Sequence, residues 1–317
     1  MNATSITFRL TLVPLALFVV LVAGVVASEY DDTTPTTAAA TPLDGWGPPV
    51  SLDPGGLNGL NTVDLEGCPS ESPDGQMLFF ASNRDGQIDI WVSSRGHADD
   101  AWGPPEKLPA PVNVDGSNDF CPTPLPDDEL LFVSNRPGGC GDGTADIYRT
   151  RRDPTLGWLE PEHLGCDLNS AGNEFSPSYV QVGGGMLFFS SDRGGEPGQD
   201  RIYVSTAQAD GRWGPAVEVE ELNAPGASTA RPQVSDDGLV IVFDSTRDGG
   251  FGGPDLWGAT RESLDAPWSE PVNLGPDINT ASAETRPWLT SDGRRLYFGS
   301  NREGGEGNLD LYVATLR

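Results

Sequence analysis

Short apolar runs recur along the chain between polar, glycine-rich stretches: Met77-Leu-Phe-Phe, Leu130-Leu-Phe-Val, Met186-Leu-Phe-Phe, Leu239-Val-Ile-Val-Phe and Leu296-Tyr-Phe. Each is too short for a helix and is bounded by turn residues, so each reads as a buried strand. A second set follows a glycine-rich loop: Ile90-Trp-Val, Ile147-Tyr, Ile202-Tyr-Val, Leu256-Trp and Leu311-Tyr-Val. Ahead of every first run stands a segment centred on proline. In three units this segment ends in Asp-Gly (Asp74-Gly75, Asp237-Gly238, Asp292-Gly293), the turn chemistry of a tight hairpin. Behind each of the first four second runs a tryptophan segment follows, clearest as Trp102-Gly-Pro-Pro, and a matching Trp46-Gly-Pro-Pro stands ahead of the first unit. No helical period intervenes, and the pattern predicts units of four short strands.

Four residue series keep one clock. Pro69, Pro122, Pro177, Pro232 and Pro287 are spaced by 53, 55, 55 and 55 residues, and Trp46, Trp102, Trp158, Trp213 and Trp268 by 56, 56, 55 and 55. Phe80, Phe132, Phe189, Phe243 and Phe298 form the third series, and Arg84, Arg136, Arg193, Arg247 and Arg302 follow each by four. From the arginine to an aspartate opening the third strand (Asp89, Asp146, Asp255, Asp310) the distance varies between 5 and 10 residues, as a surface hairpin tolerates. Four antiparallel strands in about 55 residues predict an all-β, five-bladed β-propeller of four-stranded antiparallel blades over residues 44–317. The last unit lacks its tryptophan strand, and Trp46 to Leu52 supplies one ahead of the first. The N-terminal strand is therefore expected to complete the last blade.

Pro69-x-x-Ser-Pro-Asp-Gly followed by Leu78-Phe-Phe-x-Ser-Asn-Arg and Asp89-Ile-Trp resembles the WD-like β-propeller repeat of TolB-type periplasmic proteins, and the resemblance extends over all five units. It implies the fold and leaves the activity open, because such repeats serve binding modules, scaffolds and accessory domains alike. The N-terminal α/β domain of TolB has no counterpart here, so no translocation partner is implied.

Charge and composition narrow the partners. With 19 basic and 47 acidic residues the net charge is −28, which repels nucleic acid and anionic bilayers at long range. Residues 1–28 carry one charge, Arg9, then an uncharged run from Leu10 to Val26 and small residues at Ala27 and Ser28. This predicts a secretory signal, an uncleaved anchor being the alternative, with a secreted or periplasmic product, monomeric and without membrane insertion of the mature chain. Residues 29–43, rich in threonine, alanine and proline, are expected to form a disordered tether.

In an exported chain the four cysteines are expected to pair. Cys140, in the loop between two strands, and Cys166, in the link to the next blade, share a face and are assigned to one disulfide. Cys68 and Cys121 precede the repeat prolines of adjacent blades and stand either as a second bridge or as two thiols.

Candidate chemistry is sparse. The chain has two histidines, His97 and His163, and no Gly-x-Ser-x-Gly elbow, which argues against a Ser-His-Asp triad. Neither histidine stands near a cysteine in the repeat frame, against zinc, and no Asp-x-Asp-x-Asp-Gly array supports calcium. Glycine-rich loops such as Gly138 to Gly143 lead into strands without Gly-Lys-Ser/Thr, against a phosphate cradle. No cofactor and no metal are expected. The repeated arginines beside repeated aspartates read as structural ion pairs, with Arg201 standing where the other units have aspartate.

Function is sought where the repeats differ. Three residues before each proline stand Glu66, Asp119, Glu174, Thr229 and Glu284, expected at the mouth of a central tunnel. Alternate positions down the same strands give Cys68/Ser70, Cys121/Thr123, Ser176/Ser178, Arg231/Gln233 and Arg286/Trp288, a polar and asymmetric tunnel wall. The candidate ligand-binding set is Glu66, Asp119, Glu174, Arg231, Glu284, Arg286 and Trp288. An indole beside charges suits a sugar ring or a peptide end. The bland alternative is that Arg231 and Arg286 neutralise Glu174, Glu284 and Glu66. The expected function is a non-catalytic module binding a glycan or peptide. Two other readings remain: a glycoside hydrolase, since Glu66, Asp119 and Glu174 are similar to the acid/base set of five-bladed glycosidases, and a scaffold docking an envelope protein.

Overall fold

A computed structural model describes residues 43–194 and 198–317. The expected signal and all of the tether but Leu43 lie outside the described residues. The rest is a five-bladed β-propeller. Blade 1 comprises Glu66–Glu71, Met77–Ser82, Asp89–Ser94 and Glu106–Lys107 in spatial order from the axis outward. Blade 2 starts at Asp119–Leu125, blade 3 at Glu174–Val180, blade 4 at Thr229–Val234 and blade 5 at Glu284–Leu289. All strand pairs within the blades are antiparallel, as hairpin connection requires.

The outermost strand of blade 5 is Val50–Ser51, which pairs with Val313 and Tyr312, and Trp46 bridges to Leu316. The N-terminal strand thus closes the ring, and the edge that blade 5 would otherwise expose is covered. Leu43 packs in the same region over Gly258, where a Cβ would stand 2.5 Å from its side chain.

The conserved spacing has a packing cause. Phe80, Phe132, Phe189, Phe243 and Phe298 are fully buried between blades. Over each ring lies the repeat arginine, its guanidinium carbon 5.0–5.4 Å from the phenylalanine centroid. The same cation faces an aromatic ring of the third strand: Trp91, Tyr148, Tyr203, Trp257 or Tyr312. Stacking of this kind contributes about 0.5–2 kcal/mol per site.

The ionic partner of these arginines differs from the expectation. Arg84 pairs with Glu66 (3.2 Å), Arg136 with Asp119 (2.8 Å), Arg193 with Glu174 (2.7 Å) and Arg302 with Glu284 (3.1 Å). In blade 4 a threonine replaces the acid, and Arg247 donates to Thr229 Oγ1 at 3.3 Å. The repeated aspartates have another role. Asp146, Asp255 and Asp310 accept backbone N–H groups of the preceding loop, from Cys140, Phe251 and Glu306, while Asp89 pairs with Lys107. In blades 2, 4 and 5 a fixed carboxylate therefore anchors the loop of variable length. Arg201 pairs with Glu218 at 2.8 Å.

Both disulfides are formed, Cys140–Cys166 with Cα atoms 5.7 Å apart and Cys68–Cys121 with 4.8 Å. His163 lies closer to this chemistry than the repeat frame indicates. Its Nε2 is 3.7 Å from Cys140 Sγ and 2.9 Å from Asp146 Oδ2, and its Nδ1 accepts the N–H of Gly165. That bond leaves the proton on Nε2, pointing at Asp146.

Candidate functional site

Every innermost strand breaks its ladder at one place, the residue before the repeat proline. Register slips between Gly67 and Ser70, Phe120 and Thr123, Phe175 and Ser178, Ala230 and Gln233, and Thr285 and Trp288. At each slip one non-glycine residue takes a left-handed conformation: Cys68 (φ 50°), Cys121 (47°), Ser176 (46°), Arg231 (55°) and Arg286 (57°). This conformation costs about 1–2 kcal/mol for an L-residue, and a residue before proline ordinarily stays extended. Proline suits the bulge because it has no N–H to leave unpaired on the axial edge. The five strained residues form a ring around the axis whose backbone repeats and whose side chains do not.

One step further along each strand, a second ring ties blade to blade. Ser70 donates to Pro122 O at 2.7 Å and Thr123 to Pro177 O at 2.5 Å. Ser178 accepts from Val234 N at 2.9 Å, and Gln233 from Leu289 N at 3.2 Å. Four of the five blade junctions are linked in this way. The fifth position is Trp288, half-buried, whose side chain makes no hydrogen bond among the described residues.

Three cavities meet at Trp288. A narrow shaft of about 20 Å³, room for little more than one water, follows the axis past Cys68 and Cys121, Ser176, Arg231, Arg286 and the five prolines. A mouth of about 840 Å³ opens beyond it, lined among others by Tyr179, Gln181, Gln233, Asp236, Trp288 and Ser291. From there a groove of about 500 Å³ runs between the hairpin tips of blades 5 and 1, past Pro73, Asp74, Ala98, Thr290 and Asp292.

The predicted acids are placed elsewhere. Glu66, Asp119, Glu174 and Glu284 are each 0% exposed, inside the blades, and line none of these three cavities. Glu174 accepts from Ser170 N, Ser170 Oγ, Ser191 Oγ and Arg193, and Glu66 and Glu284 have equivalent sets around Thr62 and Thr280. Burial pushes the Glu174 carboxyl above its ordinary range against the pull of these donors. The bulge is the reason for the displacement. Counting alternate residues assumes an unbroken pleat, and the slip after Glu66 sends its side chain into the blade.

Arg231, Arg286 and Trp288 do converge on the axis. Arg231 Nη1 pairs with Asp244 Oδ1 at 2.9 Å, and Asp244 also accepts Thr285 Oγ1 and the Arg286 N–H. Arg286 differs. Its Nε is buried without an acceptor, and its guanidinium forms no hydrogen bond or ion pair among the described residues. Burial, then the charge of Arg231, push it down to about 9, so it remains a cation at neutral pH. The expected neutralisation by Glu174, Glu284 and Glu66 does not occur, since each already holds its own blade's arginine. Sequence reading also missed Glu71, which is buried at the mouth and bound by Arg95, Arg295 and Tyr297.

No protein-family model and no curated protein matches the chain. Solved structures do. An α-L-arabinofuranosidase from Podospora anserina, in complex with cellotriose, aligns over 86% of this chain and 96% of its own with 13% identity and a TM-score of 0.55. The GH62 α-L-arabinofuranosidase domain of Coprinopsis cinerea aligns over 85% and 96%, with 15% identity and a TM-score of 0.54. TolB from Acinetobacter baumannii matches at 18% identity and a TM-score of 0.49, over 80% of this chain and 55% of the TolB chain. At these identities the likeness is one of fold.

Proposed function

We propose that the protein is an exported, monomeric, non-catalytic binding module that takes a glycan chain along the groove and mouth that meet at Trp288. On this reading residues 1–28 are a signal, residues 29–43 a tether and residues 44–317 the working domain, built from TolB-type WD-like repeats. The carrying observation is Trp288 itself: an indole at the junction of three cavities, at the one junction lacking the inter-blade hydrogen bond. Its face stacks on a sugar ring, while Gln181, Gln233, Asp236 and Ser291 supply hydroxyl partners. Absence of chemistry is supported by the carboxylates. Glu71 at the mouth is committed to two arginines and a tyrosine, and Asp74 and Asp292 in the groove each accept a hydroxyl of their own hairpin turn, from Ser72 and Thr290, which leaves Asp236 as the lining acid without such a hold among the described residues, where glycoside hydrolysis uses a pair.

The test is a panel of neutral oligosaccharides and peptides read by calorimetry and by product analysis. A bound glycan is expected to be recovered unchanged, with Trp288→Ala weakening it by about 1–3 kcal/mol. Cleaved product would replace the module with a hydrolase. Binding of peptides alone would replace the glycan, and a full-size protein partner unaffected by Trp288→Ala would point to a docking scaffold.

A further inference from the structure

We infer that the axial shaft beneath Trp288 is a socket for a single carboxylate, gripped by the guanidinium of Arg286. This deepens the glycan reading, on which it rests only for the source of the carboxylate, a uronic acid unit.

The repeat arginines show what this protein does with a partly buried guanidinium. Arg84, Arg136, Arg193 and Arg302 each hold a carboxylate, and Arg247 holds a hydroxyl and a carbonyl. Arg231 in the same ring as Arg286 is satisfied by Asp244. Arg286 alone among these seven has no side-chain partner among the described residues, and a partly buried charge without one is costly to maintain. It is also aimed by a strained bulge, and strain of this kind gathers where a side chain must be held for use.

The adjoining blade makes room for it. The residue two before each proline is Phe120, Phe175, Ala230 or Thr285 in four blades and Gly67 in blade 1, the blade facing Arg286. A Cβ at Gly67 would lie 2.9 Å from Arg286 Nη1. The glycine therefore leaves the guanidinium its position beside the shaft.

Size and charge select the anion. A planar carboxylate matches one guanidinium edge with two parallel hydrogen bonds. A phosphate dianion would need a second free cation, and Arg231 is already committed. The chain's net charge of −28 further disfavours a polyanion, whereas one acidic unit on a neutral chain is screened beyond about 8 Å at physiological salt. The shaft admits the headgroup while the mouth holds the rest.

The full chain is titrated calorimetrically with glucuronate, its methyl ester, glucose, sulfate, and a tripeptide as free acid and as amide. Glucuronate is expected to bind at least tenfold more tightly than its ester or glucose. Arg286→Gln should remove that preference, Arg286→Lys should restore part of it, and Gly67→Ala should weaken it by displacing the guanidinium. Equal binding of glucuronate and glucose with no preference for the free-acid peptide over its amide, no effect of Arg286→Gln on the acid that binds, or equally tight sulfate would each overturn the socket. If neutral glycans bind through Trp288 without any carboxylate preference, the socket falls and the glycan module stands. If only the free-acid peptide binds, the socket stands and the glycan source falls.

Discussion

Tyr297 donates its hydroxyl to Glu71 Oε2 over 2.5 Å, joining residues 226 positions apart across the seam between the last and first blades. Arg95 and Arg295 reach the same carboxylate at 2.8 and 2.9 Å. Burial, and after it the Glu71 charge, hold the Tyr297 phenol well above its ordinary range. The seam thus has a polar clasp near the axis as well as the strand pairing at the rim.

Removing the centre of that clasp leaves two buried cations facing each other. Glu71→Gln is expected to cost about 3–5 kcal/mol in urea unfolding, the size seen when one partner of a buried ionic cluster is lost. Tyr297→Phe removes one hydrogen bond and should cost about 1 kcal/mol. Equal midpoints for wild type and Glu71→Gln would show that the clasp contributes nothing.

The rim closure is tested by deleting Trp46 to Leu52. Blade 5 then keeps three strands and exposes the edge of Asp310–Thr315, so aggregation or a large fall in Tm is expected. A truncated chain that melts like the longer one would mean that the strand does not close the ring in solution.

Non-reducing peptide mapping should recover Cys68 linked to Cys121 and Cys140 linked to Cys166, with no free thiol at any of the four. Replacing either pair by serine is expected to lower stability by about 2–4 kcal/mol. Peptides cross-linked in another combination would refute the pairing.

Arg286 gives a pH-dependent prediction. Its native value, pushed down to about 9, means the unfolded chain holds that proton more tightly than the native one. The native state therefore carries the full handicap below about 9, and the handicap fades as pH rises toward the ordinary arginine value. Arg286→Met should stabilise the protein at pH 7 by the order of 1 kcal/mol, a small figure because part of the guanidinium meets solvent. The gap between variant and wild type should narrow above pH 9. A gap that widens there would reverse the assignment.

What the sequence discloses and what it hides follow from the same bulge. Phe80 and its four equivalents and the arginines stacked on them pack in every blade alike, and the tryptophans recur with them although Trp158 lies in an additional short strand of blade 2, so their spacing alone exposes blade number and closure. Arg231, Arg286 and Trp288 were legible as departures from the repeat. The positions of Glu66, Asp119, Glu174 and Glu284 were not, because an extra residue before each proline breaks the alternation on which inside and outside are counted. A residue before proline gives no local sign of a left-handed backbone, which becomes visible only in the folded chain. The partner of each arginine was hidden for a related reason: units 1, 2 and 5 each carry both acids, and spacing does not say which one reaches the cation.

The ring of left-handed residues before the prolines behaves like a combination lock with five dials. Cysteine, serine and arginine all occupy the same backbone setting there, so the dial turns without disturbing the strands behind it. Most of the framework is held by the phenylalanines and the ion pairs inside the blades, the Cys68–Cys121 bridge and the Arg231–Asp244 pair being what the ring itself adds. Drift or laboratory selection confined to positions 68, 121, 176, 231 and 286 is therefore free to rewrite what the shaft accepts, with the two cysteines changing together because they are joined. Directed libraries over those five codons should yield folded proteins at a far higher rate than libraries over the neighbouring acids.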